Sequence, residues 1–264
     1  NVQEAVRLLR RRDRRAVPLA GGTALLARRD PTVQAVVDLS GLGLDYIHLE
    51  ATHIEIGAMT TLQTLATAPL LAGLAGGLLA TAAHQTATRT IRNTATIGGS
   101  IMATGPSTDI VVALLALSAW VDMAEDGDML LEDFLQRRRR RGELLVGVRV
   151  PMTLASCPSA LQRVARLPTD QAIVNVAAVL MCEDGVCMGI QLAAGGVAGK
   201  PIRLRAAERA LQGTSLSDTD IAAAIARQQK EIRPSSDILG SSAYRRAMLG
   251  VLLRRAVRQC QTRG

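Results

Sequence analysis

Aromatic side chains are scarce in this sequence: one Trp, two Tyr and one Phe make up 2% of its 264 residues. Planar ligands and nucleic-acid bases often stack on such rings, so their scarcity argues against recognition by aromatic stacking. The interior must be built from Ala, Leu, Val and Ile, and a hydrophobic fraction of 48% is enough for a sizeable core. The length exceeds the roughly 100 to 200 residues of one domain, which allows one large unit or two to three small ones.

Long apolar runs are also absent. The longest, such as residues 110–121, fall short of the roughly 18 residues needed to cross a bilayer, so we predict no membrane span. The chain starts at Asn1 within an amphipathic pattern, without Met, a charged leader or a signal segment. This start leaves open that the natural N-terminus is missing.

Cysteine and histidine are few and do not cluster. The four cysteines match neither iron–sulfur nor zinc-site spacing, and we expect free thiols in a reducing cytoplasm; they are Cys157, Cys182, Cys187 and Cys260. A redox pair of Cys182 and Cys187 is the alternative, because these two flank a predicted hairpin turn at residues 184–185. We predict no metal site from the three separated histidines, which are His48, His53 and His84.

Negative charge is outweighed, since the net charge is +8 and almost all of the positive charge is Arg. The densest run, residues 137–141, is interpreted first as a solvated loop. An acidic partner subunit and a nucleic acid are the alternatives. We favour the partner over nucleic acid, because no aromatic residues are interleaved with the arginines for base stacking.

The hydrophobic pattern predicts the α+β class, with a sheet-rich part followed by helices. Residues 151–158 indicate a boundary between two parts of the chain. Predicted strands are residues 15–19, 35–39, 46–49, 53–56, 119–123, 144–150, 173–182 and 186–193. Predicted helices include the opening residues and residues 24–29, 60–84, 110–117, 205–211, 217–228 and 241–259.

Two glycine-containing stretches, Gly21-Gly22-Thr23 and Thr96 to Ser100, have the chemistry of phosphate-binding turns. Glycine permits close approach and unusual backbone angles, and a neighbouring hydroxyl adds a donor. Neither stretch is the GxGxxG or GxxxxGK[ST] motif. Two other glycine pairs, at residues 76–77 and 195–196, show that the pair alone is weak evidence. The first two pairs differ because each precedes an apolar helix.

Asp109 stands at the start of the predicted helix that begins near Ile110. Its carboxylate could cap the helix by accepting hydrogen bonds from backbone N–H groups. It could instead accept hydrogen bonds from a polyol chain of a ligand, since a carboxylate is an acceptor only. Both interpretations stay open at this point.

Several stretches occur in the order and spacing of one family, and the sequence resembles the FAD-binding (medium) subunit of molybdenum hydroxylases of the xanthine and carbon monoxide dehydrogenase type. The resemblance spans nearly the whole chain. It is carried by residues 20–23 (AGGT), 91–101 (IRNTATIGGSI), 106–109 (PSTD), 114–117 (LLAL), 166–178, 194–198, 201–203, 207–208 and 241–246.

The resemblance implies two α/β subdomains that form a PCMH-type FAD-binding domain, at residues 1–50 and 51–153. A smaller sheet-and-helix domain, at residues 154–264, follows. The resemblance also implies a first diphosphate loop at Ala20, Gly21, Gly22 and Thr23. It implies a second at Thr96, Gly98, Gly99 and Ser100, a carboxylate near the ribityl chain or diphosphate at Asp109, and a further cofactor-binding position at Asp170.

Two departures from the family pattern bear on affinity. Many relatives have Asn at the position of Ser100, and some have a hydroxyl residue where this chain has Ala103. Each change shortens or removes a hydrogen-bond donor to the cofactor. A scaffold relative with weakened FAD binding is therefore an alternative to the electron-transfer subunit.

The function that the resemblance implies needs no catalytic acid or base, because the flavin carries the chemistry. A large subunit would hold the molybdenum cofactor, a small subunit two iron–sulfur clusters, and this chain a non-covalent FAD that passes electrons to NAD, a quinone or another acceptor. A basic nucleic-acid-binding module is the third alternative.

Overall fold

The computed structural model describes residues 1–263, which form three sheets covered by helices. This arrangement agrees with the predicted α+β class. The strand and helix bounds follow the predicted ones closely for most elements. Three short 3-10 helices, Ser40–Leu42, Leu74–Gly77 and Met152–Leu154, complete the secondary structure of the described residues. No helix among residues 1–263 is both long and apolar enough to span a membrane.

The N-terminal part is a small β-α-β unit. Helix α1 (Val2–Leu9) is amphipathic, is capped by the Asn1 side chain, and buries one apolar face. Strands β1 (Ala16–Leu19) and β2 (Ala35–Asp38) pair in parallel, and the connection between them contains the short helix α2 (Leu25–Arg28). Residues 20–24 therefore lie at the carboxyl end of β1, where connections to a following helix commonly form ligand sites.

The second sheet is antiparallel and has five strands in the order β3-β4-β7-β5-β6. Its strands are β3 (Ile47–Leu49), β4 (His53–Gly57), β5 (Trp120–Met123), β6 (Gly127–Leu130) and β7 (Leu145–Pro151). The helices of this part are α3 (Leu62–Thr67), α4 (Pro69–Gly73), α5 (Leu78–Gln85), α6 (Arg89–Arg92), α7 (Ile97–Met102), α8 (Asp109–Ala116) and α9 (Leu131–Gln136). Helix α8 is buried at every position, as its sequence DIVVALLA predicts.

The C-terminal part has a four-stranded antiparallel sheet in the order β11-β10-β9-β8. Its strands are β8 (Ser159–Val164), β9 (Val174–Glu183), β10 (Val186–Gly195) and β11 (Ile202–Arg203), and its helices are α10 (Arg205–Leu211), α11 (Asp218–Glu231) and α12 (Ser242–Gln261). Asp184 and Gly185 both have positive φ, which confirms the predicted β9-β10 hairpin turn. Cys182 and Cys187 face each other across that hairpin, and burial raises the pKa of Cys187 to about 11.

The two halves of the chain share a core. Helix α8 contacts β9 and β10, and Ala177, Val179 and Ala193 of the C-terminal sheet belong to the same apolar cluster as α8. The sequence pattern missed α6, β6, α9, β8 and β11. Strand β8 follows directly on the predicted boundary and mixes polar with apolar residues, so its periodicity is weak. Gly76 and Gly77 have positive φ and break the helical run that was predicted over residues 60–84.

Candidate functional site

A cleft of about 430 Å³ lies where the β1-α2 connection meets the segment that leads into α7. Eight of the ten predicted site residues line it. They are Ala20, Gly21, Gly22, Thr23, Thr96, Gly98, Gly99 and Ser100. The fold therefore brings together two stretches that are more than 70 residues apart in the sequence.

Contact between the two stretches requires glycine at position 21. A Cβ atom built on Gly21 would overlap the carbonyl oxygen of Thr94, two residues before Thr96. Gly22 has φ of +70°, a conformation that side chains disfavour. The first stretch thus owes its shape to its glycines, one through a close backbone approach and one through its backbone angle.

The first stretch presents free backbone donors. The N–H groups of Gly21, Gly22, Thr23 and Ala24 donate no hydrogen bond to any group in residues 1–263. These residues line the cleft. A row of N–H groups without partners is the arrangement that binds phosphate oxygens, which need several donors at once.

The second stretch differs, and its description as a turn is wrong. Residues 97–102 form α7, and Thr96 is its N-cap, accepting a hydrogen bond from the N–H of Gly99 at 3.0 Å. The N–H groups of Ile97 and Gly98 donate to the carbonyls of Thr60 and Ala58, and that of Ser100 donates to Thr96. The backbone donors of this stretch are therefore used within the chain.

The two glycines of α7 have different roles: one allows close packing of the helix, and the other leaves space in the cleft. A Cβ on Gly98 would lie 2.7 Å from the carbonyl oxygen of Ala58, so Gly98 allows α7 to approach the residue after β4. A Cβ on Gly99 would meet only the Thr96 hydroxyl within 4 Å and would otherwise occupy open space at the cleft. Gly99 thus leaves a flat surface on which a ligand can lie.

The two departures from the family pattern have clear positions. The Ser100 hydroxyl donates to the carbonyl of Thr96 at 2.9 Å, so its proton is already used. Ala103 lines the cleft at the end of α7, and its carbonyl accepts a hydrogen bond from Arg28 at 3.3 Å. Neither residue supplies a free donor to a ligand.

Asp109 lies outside the cleft lining and does not cap α8. The N-cap is Thr108, and Asp109 makes no capping hydrogen bond, so of the two interpretations left open the capping one is wrong. Its buried carboxylate accepts a hydrogen bond from Asn175 at 2.5 Å and pairs with Arg163 at 3.4 Å. Burial raises the pKa of Asp109, and the positive charge of Arg163 opposes that rise. Both partners belong to the C-terminal sheet.

The residues around Asp109 make further bonds between the two domains. The Ser107 hydroxyl donates to the carbonyl of Ala172 at 2.5 Å, and the N–H of Gly196 donates to the carbonyl of Pro106 at 2.6 Å. We call Ser107, Asp109, Arg163 and Asn175 the interdomain cluster. Through this cluster the loop that carries Thr108, a residue of the cleft lining, is attached to the C-terminal sheet.

Asp170 is half-buried and is also absent from the cleft lining. Its carbonyl accepts a hydrogen bond from Arg163, and its N–H donates to the carbonyl of Leu167 at 3.1 Å. The structure therefore places Asp170 in the connection between β8 and β9, where it is bonded to Arg163 of the interdomain cluster.

Three polar or charged residues of the lining were not predicted as site residues from the sequence: Arg28, Thr108 and Glu143. Arg28 is on the exposed side of α2 and brings a positive charge to the cleft. The sequence could have indicated Arg28, because this residue lies one helical turn after the first glycine stretch. Glu143 could not be found in this way, because it lies beside the cleft only after β7 and the arginine run have folded.

The arginine run is less solvated than predicted. Arg137 and Arg140 pair with Glu143 and Asp126, and the Arg139 guanidinium lies 4.3 Å from the centre of the Phe134 ring. Arg141 donates to the carbonyls of Arg11 and Arg14. The run is a loop as predicted, and Arg138, Arg140 and Arg141 are exposed, but the contacts of the other arginines and of Arg140 and Arg141 with the chain hold it around Glu143.

Comparison with known proteins defines the class. Residues 1–153 match the model of the FAD binding domain in molybdopterin dehydrogenase, and residues 159–260 match that of the CO dehydrogenase flavoprotein C-terminal domain. The chain therefore belongs to the family of FAD-binding medium subunits of molybdenum hydroxylases, which are flavoprotein oxidoreductase subunits. This confirms the resemblance inferred from the sequence.

Individual relatives agree over the full length. The carbon monoxide dehydrogenase medium chain of Afipia carboxidovorans is 31% identical, over 100% of this chain and 95% of that one. The glyceraldehyde dehydrogenase medium chain of Sulfolobus acidocaldarius is 29% identical, over 98% and 95%. A Cu,Mo carbon monoxide dehydrogenase structure superposes with a TM-score of 0.92 at 30% identity, over 100% and 96%. Quinoline 2-oxidoreductase from Pseudomonas putida 86 gives 0.89 at 25% identity, over 98% and 94%.

Proposed function

We propose that this chain binds FAD non-covalently and carries electrons between a partner subunit and a final acceptor. The observation that carries the proposal is the row of free N–H groups at residues 21–24. These donors suit the FAD diphosphate, and Arg28, the last residue of α2, adds a positive charge to the same cleft. The free hydroxyl proton of Thr96, whose oxygen only accepts within the chain, can supply one donor from the opposite side.

The cleft fits a dinucleotide in shape as well as charge. Gly99 leaves open space where any other residue would project a side chain, and the surrounding wall is mainly apolar. No Cys or His is among the lining residues that could attach a flavin covalently. FAD, when bound, supplies the redox chemistry, since its flavin can take up electrons singly and release them in pairs. The protein's part is to bind and orient the cofactor and to exclude water.

The proposed partners follow from the family. Related medium chains belong to carbon monoxide, glyceraldehyde and nicotine-oxidising complexes. We infer a large subunit with the molybdenum cofactor and a small subunit with iron–sulfur clusters that deliver electrons to this FAD. NAD, a quinone or another carrier would accept them. A cytoplasmic location stays a prediction, and no nucleic-acid partner is proposed.

The domain division and the two acidic positions also stay proposals. We retain residues 1–50, 51–153 and 154–264 as the proposed units. For Asp109 and Asp170 we propose an indirect contribution, because both belong to the contacts that attach the loop of Thr108 to the C-terminal domain.

The test is an absorption spectrum of the purified chain before and after acid release, with FAD added back if none is present. We expect flavin bands that acid releases into solution. Absence of flavin, with none taken up on addition, would contradict the proposal for the isolated chain.

One observation favours a second candidate, a scaffold subunit with weakened FAD binding: Ser100 and Ala103 offer no free donor to a ligand. The two candidates differ in one measurement. An electron-transfer subunit binds FAD when it is copurified with its partner subunits, whereas a scaffold assembles with them and stays free of flavin.

A further inference from the structure

Two of the four cysteines form one cross-strand pair at the closed end of the β9-β10 hairpin. Cys182 and Cys187 are direct partners in the antiparallel register, one position beyond the pair that flanks the turn. Asp184 and Gly185 have φ of +49° and +77°, values typical of the two-residue turn that fixes this register. Directly opposite residues project to the same face of a sheet, so the two thiols lie side by side.

The pair is of the non-hydrogen-bonded kind. The N–H of Cys187 donates to the carbonyl of Thr214 at 2.9 Å, and the carbonyl of Cys187 accepts from the N–H of Gly213 at 2.8 Å. Both backbone groups of Cys187 therefore point away from β9. In such pairs the Cα atoms lie about 4.5 Å apart, within the range of roughly 4.4 to 6.8 Å that a disulfide spans. A bond between the two sulfur atoms thus requires rotation of the side chains rather than movement of the strands.

The two thiols differ in exposure, which sets the order in which they react. Cys182 is exposed, whereas Cys187 is buried in the apolar cluster of the C-terminal part. Burial raises the pKa of both thiols, that of Cys187 to about 11, so both are mainly protonated at neutral pH. Because the thiolate is the nucleophile, reaction with an oxidant is slow, and it begins at the accessible Cys182.

The other two cysteines are placed differently. Cys260 lies in α12, and its Sγ is 3.8 Å from the carbonyl oxygen of Ala178, four residues before Cys182 on β9. Cys157 lies between the second sheet and β8, where it packs against the apolar cluster that contains α8. Within residues 1–263 neither of them lies in a strand, so neither has a cysteine opposite it in a sheet.

We propose that Cys182 and Cys187 form a reversible intramolecular disulfide when the chain meets hydrogen peroxide, which makes the end of this hairpin a redox modification site. The Cys182 sulfur attacks one peroxide oxygen and the O–O bond breaks, which gives a sulfenic acid and water. The Cys187 sulfur then attacks the Cys182 sulfur, and the hydroxyl group leaves as water with the proton of Cys187. Two thiols are thus oxidised by two electrons, and one peroxide is reduced to two waters.

The buried partner protects the exposed thiol. A sulfenic acid at Cys182 without a neighbouring thiol would be oxidised further to an irreversible sulfinic acid or would link two chains. Attack by Cys187 stops the oxidation at a stage that a dithiol reverses. No residue of the β9-β10 hairpin lines the cleft, so the modification should leave the flavin content unchanged, and the inference is independent of the proposed function.

The experiment treats the full chain with excess hydrogen peroxide, removes the peroxide with catalase, and counts free thiols after denaturation. We expect the count to fall from the four free cysteines to two, and treatment with a dithiol to restore all four. Proteolytic cleavage after Glu183, within the hairpin, then separates Cys182 from Cys187 in the sequence. The two resulting peptides should stay joined until they are reduced, which mass spectrometry detects.

Three variants sharpen the test. Cys182→Ser should keep its three thiols under the same treatment, because the remaining cysteines are buried or half-buried. Cys187→Ala should give a sulfinic acid at Cys182 or a disulfide-linked dimer instead. The matched control Cys157→Ser should form the disulfide as the unmodified chain does.

Four free thiols in the treated unmodified chain would overturn the inference. So would a disulfide that involves Cys157 or Cys260, a link between two chains, or a sulfinic acid at Cys182 with Cys187 unchanged. If Cys187→Ala does not fold, the unmodified chain and Cys182→Ser decide, because the substitution at exposed Cys182 leaves the core intact. The flavin spectrum of the same preparation tests the proposed function separately.

Discussion

The two glycine stretches of the cleft use the same residue types in opposite ways. In residues 21–24 the N–H groups are free, whereas in residues 97–100 they donate to Ala58 and Thr60, which follow β4, and to Thr96, the N-cap of α7. One stretch can hold a ligand through its backbone, and the other provides a flat surface and a hydroxyl. Similar sequence therefore does not imply a similar binding mode, because the partners of each N–H group are set by the tertiary structure.

The largest effect that tests this comparison is expected at Gly21. Gly21→Ala would place a methyl group on the Thr94 carbonyl, so the two stretches would have to separate. We expect a loss of about 3 kcal/mol in the free energy of unfolding together with loss of FAD binding. Urea unfolding and flavin content measure the two effects.

The control for Gly21→Ala is Gly73→Ala. Gly73 ends α4, and a Cβ built there meets nothing within 4 Å. This variant should keep both stability and flavin. Normal stability of Gly21→Ala would show that the two stretches need not touch, and the described origin of the cleft would be wrong.

The next largest effect is expected at Asp109. It tests whether residues 106–109 contribute to the cleft or to the contact with the C-terminal domain. Asp109→Ala removes the buried acceptor of Asn175 and the partner of Arg163. We expect a loss of about 2 kcal/mol in the free energy of unfolding, because two buried donor groups lose a partner. FAD affinity, measured where the variant is folded, should fall much less.

Asp109→Asn separates the hydrogen bond from the charge, since Asn can still accept from Asn175. A carboxyl whose pKa is raised on folding is most favourable below its unfolded pKa and loses stability as the pH rises through the raised folded value. The unmodified chain should therefore gain stability relative to Asp109→Asn as the pH is lowered toward about 4. A large loss of FAD affinity with normal stability in either variant would instead identify Asp109 as a direct cofactor ligand.

The sequence predicted the elements with strong periodicity and the residues that converge on the cleft. Helix α8, both long C-terminal helices and the β9-β10 hairpin follow from local pattern and turn chemistry. The sequence could not show that Gly98 and Gly99 lie in a helix, because glycine pairs usually indicate turns. It could not show that Asp109 faces the C-terminal sheet, since its partners Arg163 and Asn175 are more than 50 residues away. Glu143 was missed for the same reason.

A smaller effect is expected at Gly99, where the second stretch offers space rather than donors. Gly99→Leu should reduce FAD affinity about tenfold or more, because the side chain would enter the cleft. The unfolding free energy of the flavin-free chain should change by no more than ~1 kcal/mol, because the gain from replacing a helical glycine is offset by the displacement of the Thr96 hydroxyl, which would lie 2.9 Å from the new Cβ and caps α7. Flavin titration and urea unfolding of the same preparation test both parts. Unchanged FAD affinity would remove α7 from the proposed site.

The smallest effect is expected at Arg28, which tests whether charge supplements the free N–H groups of the first stretch. Arg28 is exposed, so water and salt screen its attraction to a diphosphate, and Arg28→Gln should weaken FAD binding by only about threefold, or ~0.7 kcal/mol. The affinity of the unmodified chain should fall with added salt more steeply than that of the variant. Arg29→Gln is a matched control, because Arg29 is equally exposed but does not line the cleft. Equal salt dependence of all three proteins would mean that the backbone N–H groups alone hold the diphosphate, which sharpens the contrast between the two stretches.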